Sequence, residues 1–240
     1  MSGQHTSAPA NLRFIVVATG LAFEARIAAG PGVRCVAGGM DAQRLEAGLE
    51  RAIAQGAAAV MSFGIAGGLA PDVVAGTPIV ARRVVAGDGD HACDERWVAA
   101  LRKALPDARV GDVAAADAPL VDVAAKRALH ARTHALAVDT ESHLAARVAR
   151  THGLPFAVFR VVADPVMHPL PAAVSTALGA NGRVDLVRVV RAFAARPADW
   201  LRLPQTAIDA GLAFGALLRG RRRLGLRLGC DPRAFLLDVP

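Results

Sequence analysis

The chain has 240 residues, 53% of them hydrophobic, with 28 basic against 21 acidic side chains and a formal net charge of +7. That length suits one α/β domain around a single core, and the mean hydropathy of +0.35 supplies ample apolar material to bury. The uncharged stretch Gly56 to Pro71 is broken by Gly64, Gly67 and Gly68, which argues against a bilayer-spanning segment.

The N-terminal MSGQHTSAPANLR lacks the basic-then-apolar pattern of a signal peptide, so a cytoplasmic location is expected. Cys35, Cys93 and Cys230 are odd in number and form no CxxC pair, which points to small buried hydrophobes rather than a disulfide framework or a zinc site. Among the basic residues only Lys103 and Lys126 are lysine. An arginine and alanine bias of this kind, spread along the chain, is discounted as a nucleic-acid signal. Tyrosine is absent and aromatics make up 4%, so a stacking platform for single strands is not expected. Arg219, Arg221, Arg222, Arg223 and Arg227 crowd beside apolar helical sequence. They read either as a solvated basic helix end or as a patch for an anionic membrane face.

In chain order, Leu12 to Ala18 is a continuous apolar run that predicts a buried parallel strand, and Val33 to Ala37 a shorter one. Asp41 caps a helix whose Leu45, Leu49 and Ile53 share one face, with Gly56 as its stop. Ala58 to Phe63 is the next strand, followed by a glycine-rich turn, GIAGGLAPD, and then a strand over Thr77 to Val85. Trp97, Leu101 and Leu105 stripe a helix ended by Pro106. Strands at Val110 to Ala115 and Ala135 to Val138 flank a helix over Val121 to Leu129. A helix over Thr140 to Thr151 precedes the buried strand Phe156 to Val162. Beyond a proline-rich loop, Pro165 to Pro171, two amphipathic helices are expected near Val184 to Ala194 and Thr206 to Leu218. Strands alternating with helices give the α/β class: one three-layer domain over residues 1–240, with a mainly parallel or mixed central sheet flanked by helices. Its core covers about 12–165 and a helical extension about 166–240.

In open α/β sheets ligands settle beyond the carboxyl ends of the strands. Glu24, the glycines Gly64, Gly67 and Gly68, the pair Asp139 and Glu141, and Asp164 all follow such ends. These carboxylates and a glycine-rich turn on one edge suit a polar sugar ring.

Read together, FGIAGGLAPDVVAGT, AVDTESHLAARVA and LPFAVFRVVADP resemble the nucleoside phosphorylase and nucleosidase superfamily over roughly Phe14 to Pro165. The proline loop and Arg-rich helix end look more like its hopanoid-associated phosphorylase branch. The resemblance implies cleavage of an N-glycosidic bond that releases adenine, with adenosylhopane as the branch's substrate, no cofactor, no metal and a homo-oligomer; the alternatives are a methylthioadenosine or adenosylhomocysteine nucleosidase and a nucleoside-binding protein that has lost the reaction. It implies that Asp164 is the general acid toward purine N7, that Glu141 grips the ribose hydroxyls and that Glu24 polarises the acceptor water. Partial burial would keep Asp164 protonated.

Gly67 and Gly68 suit close approach of backbone to ligand, and Leu120 corresponds to a residue whose backbone meets the purine edge. Three departures stand out. Thr140 replaces a methionine under the ribose, and Ala163 replaces a serine beside the final aspartate. Phosphate-binding signatures are missing: Ser62 and Ile65 stand where arginine and serine would hold the anion, with Arg26 or Arg160 as the remaining substitutes. The residues favour water over phosphate. His91, His143, His152 and His168 pair with no ligand at metal spacing, and His143 is expected at the surface near Glu141.

Overall fold

The computed structural model describes residues 14–39, 41–168 and 203–230. The chain enters on β1 (Phe14–Thr19), whose six residues are all buried, as the unbroken apolar run requires. After α1 (Ala22–Ala28) and β2 (Val33–Ala37) comes α2 (Ala42–Ala54). Its N-cap is Asp41, whose carboxylate accepts the Arg44 N–H at 2.9 Å. Leu45 and Leu49 are buried, and the chain leaves through Gly56 at φ 98°, a left-handed turn that suits glycine. Then follow β3 (Ala57–Gly68), β4 (Pro78–Ala86), β5 (Gly89–Ala92), α3 (Glu95–Ala104), β6 (Arg109–Ala115), α4 (Val123–Thr133), β7 (Ala137–Asp139), α5 (Ser142–Thr151), β8 (Phe156–Asp164) and α6 (Leu203–Arg223).

All eight strands join one mixed sheet. β2, β1 and β3 lie parallel at one edge. From β3 the sheet branches: β8 pairs parallel on one side and β7 antiparallel on the other. β8 continues antiparallel to β4, and β4 and β7 both pair parallel with β6. These pairings close a five-stranded ring of β3, β8, β4, β6 and β7, with β5 hanging antiparallel from β4. Alternation along β1 divides the core. Phe14, Val16 and Ala18 face α2 and α5 in one cluster, with Leu45, Leu49, Leu144 and Val148. Ile15 and Val17 face the other, with Ala28 of α1, Trp97 and Leu101 of α3, and Ala213 and Leu217 of α6. The sequence reading of helices on both faces of a mixed sheet stands.

Three local expectations change. The glycine-rich segment is not a turn: β3 runs on to Gly68, pairing with β8 through Gly64 and Gly67. Extended glycines permit this, since a Cβ on Gly67 would lie 3.3 Å from the Asp164 carboxylate. β5 went unseen because Gly-Asp-His-Ala is polar and short, an edge strand without an apolar run. The helix expected from Thr140 starts at Ser142, because Asp139 Oδ1 accepts the N–H groups of Glu141 and Ser142 and ends the strand there. The helix expected near Val184 to Ala194 lies outside the described residues, as does the loop beyond His168.

Candidate active site

A cleft is lined by Leu21 after β1, Ile65, Ala66 and Gly67 of β3, Ala118 to Val121 before α4, Val138 to Glu141 at the end of β7, and Asp164 at the end of β8. Of the residues singled out in the sequence it brings together Glu141, Thr140, Gly67, Leu120 and Asp164. Gly68 lies elsewhere: a Cβ there would press on Val162, Pro165 and Val73, so this glycine serves packing. Glu24 does not line the cleft either. It sits one layer behind the wall, 1% exposed. Its carboxyl accepts the N–H groups of Leu21 and Ile65 at 2.8 Å each, so two wall residues are fixed by it.

Behind Glu141 is a buried ionic cluster centred on Arg160, which is 0% exposed. Its Nε lies 2.7 Å from Asp139 Oδ2, and its Nη2 donates to Glu141 Oε2 at 3.0 Å and to Ser62 Oγ at 2.7 Å. Nη1 reaches the Ile65 carbonyl at 3.2 Å. Thr140 Oγ1 donates to the other Glu141 oxygen at 2.5 Å. Glu141 is therefore held by two donors with its carboxylate at the cleft. Gly20 makes room for it, since a Cβ there would lie 2.5 Å from Oε1. Ser62, where the phosphorylase pattern has an arginine, here accepts from Arg160 instead.

Three carboxylates share this one cation. Burial raises the Glu24 carboxyl to about 7, with Glu141 adding to the rise, while Arg160 and the two backbone N–H groups oppose it. Burial likewise raises Glu141, against the pull of Arg160. A carboxyl raised from an ordinary 4.5 to about 7 binds more protons folded than unfolded across that window. Stability therefore falls as pH climbs from about 4.5 to about 7 and is level above. Glu24→Gln, which mimics the protonated acid, is expected to reduce the drop in melting temperature between pH 5 and pH 8. An unchanged drop would place the titration elsewhere.

Opposite this cluster, Asp164 meets a partner that sequence reasoning missed. Lys126 of α4, 0% exposed, donates from Nζ to Asp164 Oδ2 at 2.6 Å and to the Asp164 carbonyl at 2.7 Å. Burial raises the Asp164 carboxyl, and Lys126 pulls against that rise. A signal was present, since Lys126 is one of only two lysines in an arginine-rich chain. The sequence offers Arg160 only as a phosphate ligand. It faces the carboxylates, does not line the cleft, and Arg26 is exposed. Among the described residues no Arg, Lys or His lines the cleft.

His143, expected at the surface, is buried on α5, a helix whose other buried residues include Ser142, Leu144 and Ala145, and its Nε2 lies 3.9 Å from Asp117. Burial lowers its pKa. His168 pairs with Asp209 at 3.1 Å, and His152 with Glu50 at 2.7 Å. Among the described residues no cluster of His, Cys, Asp and Glu could hold a metal ion.

The profile of the phosphorylase superfamily matches residues 4–195. The chain belongs to the phosphorylase superfamily. The superfamily fold is also found in solved structures. A Helicobacter pylori 5′-methylthioadenosine/S-adenosylhomocysteine nucleosidase complexed with a substituted pyrrolidin-3-ol superposes with a TM-score of 0.64 at 13% identity, covering 95% of this chain and 99% of that one. A Streptococcus pyogenes S-adenosylhomocysteine nucleosidase in complex with 5-methylthiotubericidin gives 0.60 at 17% identity, covering 88% and 97%. Helicobacter pylori futalosine hydrolase gives 0.56 at 17%, covering 63% and 88%. No curated protein sequence matches the chain significantly.

Proposed function

We propose that this chain hydrolyses the N-glycosidic bond of a 5′-substituted adenosine and releases adenine. The observation that carries this reading is one cleft with Glu141 on one wall and Asp164 on another, behind apolar side chains suited to a purine and a 5′ substituent. Breaking the bond builds positive charge on the ribose and negative charge on the base. Glu141, fixed by Arg160 and Thr140, accepts hydrogen bonds from the ribose hydroxyls and offsets the positive charge. Asp164 protonates N7 of the leaving purine. Glu24 stands behind the cleft wall, where its carboxyl holds the Leu21 and Ile65 backbone that shapes the site, and the water that attacks C1′ gives up its proton to solvent. Gly67 and the Leu120 backbone lie against the base. The acceptor is water, since a phosphate dianion would meet acidic and apolar groups in this cleft.

The solved nucleosidases of like fold act on methylthioadenosine and adenosylhomocysteine by name, which supports an adenosine head group. The 5′ substituent proposed is the hopane tail of adenosylhopane. Leu21, Ile65, Pro119 and Val121 begin an apolar path, and Ile208 and Leu212 stand exposed on α6. The same helix ends in the exposed Arg219 and Arg222, which suits peripheral docking on an anionic membrane from the cytoplasm. No helix among the described residues is long and apolar enough to cross a membrane. A homo-oligomer is part of the same reading.

The test is to supply adenosylhopane and methylthioadenosine separately, with and without phosphate, and to identify the sugar product. Free ribose products at equal rates in both buffers are expected, with adenosylhopane preferred. A sugar 1-phosphate would overturn the hydrolytic assignment, and turnover of the small substrate alone would overturn the lipid one.

A further inference from the structure

The buried lysine behind Asp164 bears on how the base receives its proton, an inference that rests on the nucleosidase reading above. We propose that Lys126 is a positioning residue that shares one proton with Asp164, so that the pair, rather than a lone carboxyl, delivers a proton to the departing purine.

Three observations carry this. Lys126 Nζ bonds both the carboxylate and the backbone carbonyl of Asp164, at 2.6 and 2.7 Å, which fixes the carboxylate at the cleft edge. Lys126 is the one buried residue of α4. The desolvation of an ammonium is a poor way to stabilise a helix that contributes so little to the core. Gly67 leaves the gap that both groups occupy, since a Cβ there would lie 3.3 Å from Asp164 Oδ2 and 3.4 Å from Lys126 Nζ.

The surrounding charges set the direction. From α6, Asp209 faces the pair, bonded by His168 at 3.1 Å and Gln205 at 2.9 Å. Across the cleft stand Glu141 and Asp139 with Arg160. Arg127 of α4 turns to the Met167 sulfur. Ionised as ammonium and carboxylate, or neutral as amine and acid, the pair has no net charge. Losing its one proton leaves a buried negative charge beside other carboxylates, so the pair holds that proton to higher pH than a lone carboxyl would.

In the step, the C1′–N9 bond breaks with its electron pair going to the purine. The one shared proton passes from Lys126 Nζ to the Asp164 carboxylate and on to N7, leaving a carboxylate beside a neutral amine. Water adds to C1′ and releases its proton to solvent, and a proton from solvent restores the ammonium.

The experiment compares adenine release by the wild type, Lys126→Met and Lys126→Arg from pH 5 to 10, with melting curves to confirm folding. Lys126→Met is expected to move the alkaline limb of kcat down by about one pH unit or more. Its loss at pH 8 should be about tenfold or greater, and smaller at pH 5.5. Lys126→Arg keeps the charge but cannot release a proton, and should be equally slow at pH 8. A Lys126→Met profile parallel to wild type, or full rescue by arginine, overturns the proposal. A separate readout needs no turnover: the ¹⁵Nζ signal of Lys126 and the ¹³C carboxyl signal of Asp164 should titrate together. Independent titration overturns the shared proton even where the wild type proves inactive, an outcome that would instead count against the nucleosidase reading.

Discussion

Asp164→Asn is expected to slow adenine release by about 10²- to 10⁴-fold, the range that general acid help supplies, while nucleoside binding changes only several-fold. Asparagine keeps the shape of the side chain and an oxygen that can accept from Lys126, and the Asp164 backbone carbonyl accepts as before. What it removes is a proton that can leave. An unprotonated adenine anion is a poor leaving group, so the deficit should fall on kcat and spare KM. Substrates whose base leaves readily without protonation should be least affected. A variant with near-wild-type kcat would remove Asp164 from the chemistry. A protein that binds nucleoside equally well before and after the change and never turns it over would be a binding protein on an enzyme's fold.

Arg160→Met should be the most damaging single change to stability among the residues discussed. Arg160 is fully buried and is the cation that faces Asp139, Glu141 and Glu24. Removing one partner of a buried ionic cluster typically costs about 3–5 kcal/mol, because the charges left behind are desolvated and unpaired. Ser62 Oγ and the Ile65 carbonyl lose their donors as well. The loss should be smaller at pH 5 than at pH 8, since protonation can neutralise carboxyls that burial already raises. Denaturant unfolding of both proteins at the two pH values measures this. A loss below about 1 kcal/mol, or one independent of pH, would mean that the cluster does not depend on its arginine.

The elements were legible where one physical signal dominated. β1 is an unbroken apolar run, β2 and β8 are apolar runs interrupted only by Arg34 and by Arg160 before the terminal Asp164, and α2 and α3 carry an Asp cap followed by a single apolar stripe, so local pattern located them. The glycine segment misled because glycine permits a turn and an extended strand alike. The pairing of Gly64 and Gly67 with β8, which decides between them, comes from residues nearly a hundred positions away.

The site divides in the same way. Glu141 and Asp164 were marked by the ends of strands. The cation beside each, Arg160 in mid-strand and Lys126 in mid-helix, sits where a charged residue normally reads as solvent-facing. Only the closure of β3, β8, β4, β6 and β7 into a ring turns Arg160 inward. Glu24 was expected in the cleft, yet the first turn of α1 aims it at the backbone of Leu21 and Ile65 instead, and no local pattern distinguishes those two orientations.

Incubating the purified full chain with 5′-methylthioadenosine and with adenosylhopane in phosphate-free buffer, and quantifying free adenine by chromatography, is the shortest route to a decision. Catalytic release of adenine, many equivalents per polypeptide and abolished in Glu141→Ala, is what this arrangement of acid, ribose clamp and apolar wall requires. Stoichiometric binding of either nucleoside with no adenine formed would contradict it.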